Sequence, residues 1–275
     1  MLNYKIISID LDGTLLDTDM HVSNVNKVAI EQFKNMGGFV VPNSGRSFGE
    51  MPIELRQDPN VRFYICSDGG DIFDKYQNSH IFLGMDRSMF ERVYDIVKDY
   101  DVFLMVHTDG DSFVDKKLFN LQSMQEYNVN KYFIAHTFEN CKTTDDMQNL
   151  IDTVQKVELL VVFFKNLNDK PQCWKRLEQI GMHVAPTSSG NIEISAPTAG
   201  KGNGLIKLAE HLGIPISQTM AVGDNYNDED MLSKAGLSVA VENAKEQIKQ
   251  KTNVTVCANY DHVIPDIIKK IIKEI

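Results

Sequence analysis

The stretch Ile6-Ile7-Ser8-Ile9-Asp10-Leu11-Asp12-Gly13-Thr14-Leu15-Leu16 decides the fold. An apolar run near the start of the chain ends abruptly in two carboxylates one residue apart, and a glycine, a threonine and another apolar pair follow. A short run of Ile and Ser bounded in this way reads as a buried parallel strand, which need not alternate polar and apolar positions. Because the strand stops there, Asp10 and Asp12 can both turn into the crevice at its carboxyl end, where open α/β sheets bind ligands. Two carboxylates this close repel unless a cation joins them or one keeps a proton. A solvated strand end is the plain alternative. A calcium loop is excluded, since Thr14 and Leu15 stand where its third ligand and its glycine belong.

Length and composition bound what surrounds this stretch. The chain has 275 residues, enough for one large or two moderate domains, and 43% hydrophobic residues, enough for an ordinary core. A net charge of −10 argues against nucleic acid as a partner, because phosphate backbones need a basic patch. An acidic protein that handles an anion must concentrate positive charge locally. Cys66, Cys141, Cys173 and Cys257 are dispersed, with no Cys-x-x-Cys pair, and read as reduced thiols. No leader-like segment and no run of about 20 apolar residues occurs, so the expected setting is soluble and cytoplasmic, with no membrane partner.

Downstream, Val22, Val25, Val28, Ala29, Phe33 and Met36 mark a helix face with Ser23 as its N-cap, and Gly37-Gly38 ends it. Phe39 to Val41 is a second strand closed by Pro42-Asn43-Ser44-Gly45-Arg46, where a proline at the end of an inner strand is unusual. A helix follows over Glu50 to Leu55, then a third strand over Val61 to Cys66 and a turn at Ser67-Asp68-Gly69-Gly70. Ile72-Phe73 and His80 to Phe82 bracket a hairpin. This β-α-β-α-β opening predicts a doubly wound parallel sheet. From about Gly84 to Ile194 short strands and helices mix irregularly: a helix over Met89 to Tyr100, strands at Val102 to His107, Ser112 to Val114 and Leu159 to Phe164, and a turn at Thr187 to Gly190. The α/β rhythm resumes after Pro197 with a helix opened by Lys201-Gly202 and a strand at Met220 to Val222. The expected fold is therefore α/β, a Rossmann-like parallel-sheet core over residues 1–82 and 195–275. An α+β domain over 83–194 interrupts it.

Four polar clusters lie at strand ends or helix starts of the outer thirds: Asp10/Asp12, Ser44-Gly45-Arg46, Lys201, and Gly223-Asp224-Asn225-Tyr226-Asn227-Asp228. In a parallel sheet the carboxyl ends share one edge, so three of the four converge there. Lys201 sits where the insert returns to the core, a natural place to face the same crevice. Carboxylates, an ammonium, a small hydroxyl and free N–H groups together suit a magnesium–phosphate complex, with hard oxygens on the ion and Lys plus N–H donors on the phosphoryl oxygens. Each cluster has a plain reading by itself. Ser44-Gly45 is a strand-to-helix turn, Lys201 a surface lysine, and Gly223 to Asp228 an acidic helix start. The run Ser195 to Gly202 fails the Walker A pattern, because Ser195 and Gly202 replace its first glycine and its metal-binding hydroxyl.

Taken in order, the four clusters resemble the motifs of the haloacid dehalogenase superfamily, and more closely the Cof-type phosphatases with a type IIB α+β cap. The resemblance covers essentially the whole chain. It implies a phosphoric monoester hydrolase in which Asp10 is the nucleophile and Asp12 the general acid and base. It also implies that Mg²⁺ binds the Asp10 carboxylate, the Asp12 backbone carbonyl and Asp224. Ser44, the Gly45 N–H, Lys201 and Asn227 would hold phosphoryl oxygens, and Asp228 would orient Lys201 or a metal-bound water. The implied substrates are small phosphorylated metabolites such as sugar phosphates, nucleotides or phosphorylated cofactors. Departures include Asp68-Gly69 where the family often has Asn-Gly, Pro42-Asn43 before Ser44, and a looser stretch over Val239 to Asn243 and Asn259 to Val263. In the insert, His107, Asp109 and Asp111 lie in one turn and Asn191 and Glu193 in another, as hairpin residues or leaving-group contacts. A phosphomutase using the same aspartyl phosphate is a rival reading, and a non-enzymatic regulator phosphorylated on Asp10 is another. The acid Asp12 argues against the regulator, and also against a dehalogenase, which needs no leaving-group acid.

Overall fold

The computed structural model describes residues 2–186 and 188–272, so Thr187 of the expected turn lies outside the described residues. Two compact units emerge: one of residues 1–45, 51–81 and 200–275, the other of 46–50 and 82–199. The chain thus returns to the first unit at Gly200, not at Ser195. Asn191–Ser195 is a strand of the inserted unit's own sheet, and Arg46–Glu50 groups with the insert although it directly follows Ser44-Gly45.

The first unit is built on a five-stranded parallel sheet in the order Val254–Val256, Leu237–Val241, Thr219–Gly223, Ile6–Ile9, Phe39–Pro42. Ile6–Ile9 is central and wholly buried, which is why three of its four residues are isoleucine and it shows no polar–apolar alternation. In register, Ile9 lies between Val222 and Pro42, so three strands end level with one another and release Asp10, Asn43-Ser44 and Asp224 at one edge. The backbone hydrogen bonds Asp10 N to Val222 O (3.0 Å) and Asn43 N to Ile9 O (2.8 Å) close that edge.

The third strand departs from expectation. It spans Phe63–Cys66 and pairs antiparallel with Asp71–Asp74, in a three-stranded sheet completed by Ser79–Phe82. Its backbone meets the parallel sheet's edge at the isolated bridge Asn43–Ile65, and the Phe63 ring packs edge-on against Phe39 of the edge strand, with centroids 5.4 Å apart. Pro42 supplies the reason: it has no N–H to continue a ladder beyond the second strand. The expected helix over Glu50 to Leu55 is instead a helical turn at Phe48–Glu50 and a short helix at Ile53–Gln57.

The helix Asn24–Asn35 starts at Ser23, whose hydroxyl accepts from Asn26 N (3.1 Å). Its buried face is Asn26, Ala29, Ile30 and Phe33, while Val25, Val28 and Met36 of the expected stripe are exposed. A polar residue takes the inner position because the Asn26 Oδ1 accepts from Ile264 N (3.1 Å), tying this helix to the closing one, Val263–Ile267.

The inserted unit carries a six-stranded sheet ordered His183–Ala185, Asn191–Ser195, Leu159–Phe164, Val102–Thr108, Asp111–Asp115, Lys142–Thr144. Its central strand is apolar on both faces. Leu160, Val162 and Phe164 join one cluster with Phe90, Val93 and Leu177, and Leu159, Val161 and Phe163 join another with Phe103, Met124 and Ile134. Helices Leu121–Glu126 and Lys131–Asn140, which the sequence pattern did not announce, supply Met124 and Ile134 to the second cluster. Among the described residues no helix is long and apolar enough to cross a membrane.

Candidate active site

Each polar cluster of the outer thirds is shaped by its own local chemistry. After Asp10 the chain turns through Leu11–Leu15, a turn made possible by Gly13 at φ +84°. A Cβ at Gly13 would stand 3.0 Å from Asp224 Oδ2, so the glycine also makes room for the neighbouring carboxylate. Thr14 Oγ1 donates to Asp224 Oδ1 (2.9 Å), which links the first cluster to the last. Asn243 Nδ2 donates to Gly13 O (2.8 Å) and Asn259 Nδ2 to Leu16 O (2.7 Å), so the turn is held from the C-terminal third as well.

Lys201 opens the helix Lys201–His211 after Gly200 at φ +129°. Its side chain is almost wholly buried and bridges two carboxylates, Asp10 Oδ1 at 2.6 Å and Asp228 Oδ1 at 2.8 Å. Asp230 Oδ2 accepts from Gly202 N (2.8 Å) and steadies the first turn of that helix. Asp228 also has its second oxygen engaged, accepting from Asp224 N (3.0 Å) and Asn225 N (3.1 Å). It therefore shapes the loop and aims the lysine. One oxygen from each of Asp10, Asp224 and Asp228 lies within 4.8 Å of the others, a grouping able to hold a metal ion.

Charge dominates this arrangement. Burial lifts the Asp10 carboxyl well above the usual carboxylate range, and the Asp228 charge adds to it while Lys201 opposes it. Asp224 is raised to about 6, by burial and by Asp228, against the Thr14 hydrogen bond. Burial alone would pull the Lys201 ammonium down, but the charges of Asp10, Asp228 and Asp68 outweigh it and hold the lysine protonated. The carboxylates outnumber the ammonium, so without a further cation some of them must share protons.

Ser44 is buried at the same strand edge, and its N–H donates to Ile65 O (3.0 Å). Asn43, which the sequence offered only as a departure, donates from Nδ2 to Ser8 Oγ (2.9 Å) and to Lys201 O (3.0 Å). It thereby ties the first strand, the Ser44 turn and the lysine helix together. Asp68 N donates to Ser44 O (3.1 Å), and Gly200 N to Asp68 O (2.8 Å). Asn227 is exposed on the turn Tyr226–Asp228, and Asp12 is half-buried, its charge felt by Asp10 and Asp224.

Of the insert residues, Asp111 pairs with Lys142, and Asp109 occupies a left-handed turn at φ +52°. Asn191 is buried, and its Oδ1 accepts from Ser188 N (2.7 Å). His107 is buried near Glu50, with Nε2 3.8 Å from Oε2, and His136 Nε2 lies 3.1 Å from Glu50 Oε1. This buried Glu50 cluster was not anticipated, because its members are scattered along the chain and join only in the folded insert.

Residues 7–268 match the family model of the haloacid dehalogenase-like hydrolases, and the chain belongs to that family. It is similar to the phosphatase YwpJ of Bacillus subtilis (strain 168), 27% identical with 98% of this chain and all of that protein covered. It is also similar to the 5-amino-6-(5-phospho-D-ribitylamino)uracil phosphatase YwtE of the same organism, 28% identical with 93% of each covered. A solved structure described as the HAD subclass IIB sugar phosphatase BT4131 shares the fold, with a TM-score of 0.76 at 18% identity over 96% of this chain and 97% of that one. The resemblance drawn from the motifs therefore holds for family and fold, and the chain is a phosphatase of this family.

Proposed function

We propose that the protein hydrolyses small phosphate monoesters through a phosphorylated Asp10. The observation that carries this reading is the buried Lys201 bridging Asp10 and Asp228 at a strand edge shared with Asp224. In this reading Asp10 attacks phosphorus, an acyl phosphate forms, and the ester P–O bond breaks. Asp12 gives its proton to the leaving oxygen, then takes one from the water that cleaves the acyl phosphate. The Ser44 hydroxyl, the Gly45 N–H, the Lys201 ammonium and the Asn227 amide hold phosphoryl oxygens, while Asp228 keeps the ammonium aimed.

A divalent ion fits the donor set. The oxygens are hard, the buried carboxylates lack enough positive charge, and a dication would supply it. Asp10 and Asp224 are the side-chain ligands, with the Asp12 backbone carbonyl beside them. Asp228 is less suited, because its oxygens already accept from Lys201, Asp224 N and Asn225 N. When bound, Mg²⁺ would offset the repulsion between carboxylate nucleophile and phosphate dianion.

Substrates of the polyol-phosphate or sugar-phosphate class are favoured, since YwtE is named for a phosphorylated ribityl compound. The four free thiols support action in a reducing compartment such as the cytoplasm.

Purified protein should release inorganic phosphate from p-nitrophenyl phosphate and from sugar phosphates in Mg²⁺, and stop in EDTA. Asp10→Asn should abolish turnover with the fold intact, and Asp12→Asn should slow it about 10²–10⁴-fold. Isomerised sugar phosphate in place of free phosphate would turn the reading to a mutase. An Asp12→Asn enzyme with full turnover would remove the acid/base role.

A further inference from the structure

Asn43 stands where several segments of the first unit meet. It follows the strand Phe39–Pro42, its N–H donates to Ile9 O (2.8 Å) next to Asp10, and it forms the bridge to Ile65. Its side chain is wholly buried, and the amide nitrogen donates to Ser8 Oγ (2.9 Å) and to Lys201 O (3.0 Å). A carbonyl can only accept, so Lys201 dictates which end of the amide faces it. Ser8 Oγ then accepts too, and turns its own proton to Met231 Sδ, a weak acceptor 4.0 Å away.

This orientation has a cost. Among the described residues Asn43 Oδ1 is buried without a hydrogen-bond partner. A buried carbonyl with no donor destabilises a fold, and one kept in a native structure calls for an explanation. An apolar pair in place of Asn43 and Ser8 would fill much the same space and leave nothing unsatisfied. Packing alone would not select the polar pair.

The explanation lies in what Asn43 joins. One peptide bond links it to Ser44, and its amide holds the first residue of the helix Lys201–His211. These are two of the groups that hold phosphoryl oxygens in the reading above. The lysine is fixed at both ends: Asp10 and Asp228 take its ammonium at 2.6 and 2.8 Å, and Asn43 takes its carbonyl. A parallel strut runs through the Asp68 backbone, whose N–H donates to Ser44 O and whose carbonyl accepts from Gly200 N. Resting on the phosphatase reading, we infer that Asn43 is a positioning residue. It acts through Ser44 and Lys201, not on the phosphate itself, and sets the separation of the Ser44 hydroxyl from the Lys201 ammonium. The partnerless Oδ1 is stability given up for that separation.

The test measures kcat and KM for p-nitrophenyl phosphate in Mg²⁺, inhibition by orthovanadate as a transition-state mimic, and urea midpoints. Asn43→Leu removes the donor and the orphaned carbonyl together. It should lower kcat and weaken vanadate inhibition about tenfold each, with KM changed less than kcat, because misplaced holders cost most in the transition state. Ser8→Ala removes the other partner of the same amide but leaves the bond to Lys201 O, so it should keep kcat within about twofold. The double variant Asn43→Leu/Ser8→Ala should unfold at a urea midpoint no lower than the wild type's while keeping the tenfold loss in kcat. A merely structural role would move activity and stability down together. Should Asn43→Leu not fold, Asn43→Ala gives the same kinetic comparison, and failure of both to fold overturns the assignment. So does a folded variant at Asn43 with kcat and vanadate inhibition within twofold of wild type, an equal loss of kcat in Ser8→Ala, or a double variant whose midpoint falls in step with its activity. Each of these leaves the phosphatase reading in place. Wild-type protein that releases no phosphate from p-nitrophenyl phosphate overturns that reading first.

Discussion

Consider the metal-free protein as the pH rises from 5 to 7. Asp224 ionises near 6 in the fold, against an ordinary value of 3.8. A carboxyl raised this way binds its proton more tightly when folded than when unfolded, so it withdraws stability as the pH climbs from the unfolded value through the folded one. The full penalty is about 3 kcal/mol, at about 1.4 kcal/mol per decade of acidity. Of this, about 1.6 kcal/mol is present at pH 5 and nearly all of it by pH 7. Asp224→Asn removes the charge but keeps an oxygen able to accept from Thr14 Oγ1. In EDTA the variant should be more stable than wild type by about 3 kcal/mol at pH 7 and about half that at pH 5. Urea unfolding of both proteins at the two pH values measures it. Millimolar Mg²⁺ should reverse the order at pH 7, because only the wild type gains ligand-linked stability. An Asp224→Asn protein no more stable than wild type in EDTA at pH 7, or a gap that does not narrow toward pH 5, would refute the electrostatic account of the site.

Three further outcomes follow from the same geometry. Lys201→Met leaves the buried Asp10 and Asp228 carboxylates without their ammonium; it should cost about 3–5 kcal/mol at pH 7 by urea unfolding, and less at pH 5, where a raised Asp10 takes up a proton. Gly69→Ala and Gly37→Ala both place a side chain at positive φ, but only Gly69 faces a backbone oxygen, at 2.1 Å, while Gly37 has nothing within 4 Å. Thermal unfolding should show about 1 kcal/mol lost at Gly37 and several times that at Gly69. In the insert, burial pushes Glu50 up, but His107 and His136 outweigh it and hold the carboxyl below its ordinary 4.5. That stabilisation is present above the ordinary value and is lost as the pH falls through the folded one. Glu50→Gln should therefore cost about 2–4 kcal/mol at pH 6 and less at pH 3, read from urea midpoints.

The parts legible in the sequence are those whose chemistry is local. Asp10, Asp12, Asp224 and Asp228 announce themselves because carboxylates stand directly after apolar strands, and the level strand ends then bring them together. Lys201 was legible only by its position where the insert rejoins the core. The residues that make the cluster tolerable were not legible, since each acts across a long sequence separation: Asn43 on Lys201 O, Thr14 on Asp224, and Asn243 on Gly13 O. The same holds for Asn26, a polar residue in a buried stripe whose partner Ile264 lies near the other end of the chain. Pro42 was flagged as an anomaly, and the structure turns it into a cause, limiting the next strand to a bridge at Asn43–Ile65. Asp68 is visible as a departure from a family pattern, but its left-handed backbone is held by Ser44 O and Gly200 N, which meet it from distant segments. Pattern reading thus finds where charge is placed, and tertiary contacts determine which oxygens are already spent. That distinction separates Asp228, with both oxygens engaged inside the fold, from Asp68, whose Oδ1 among the described residues is buried without a hydrogen-bond partner.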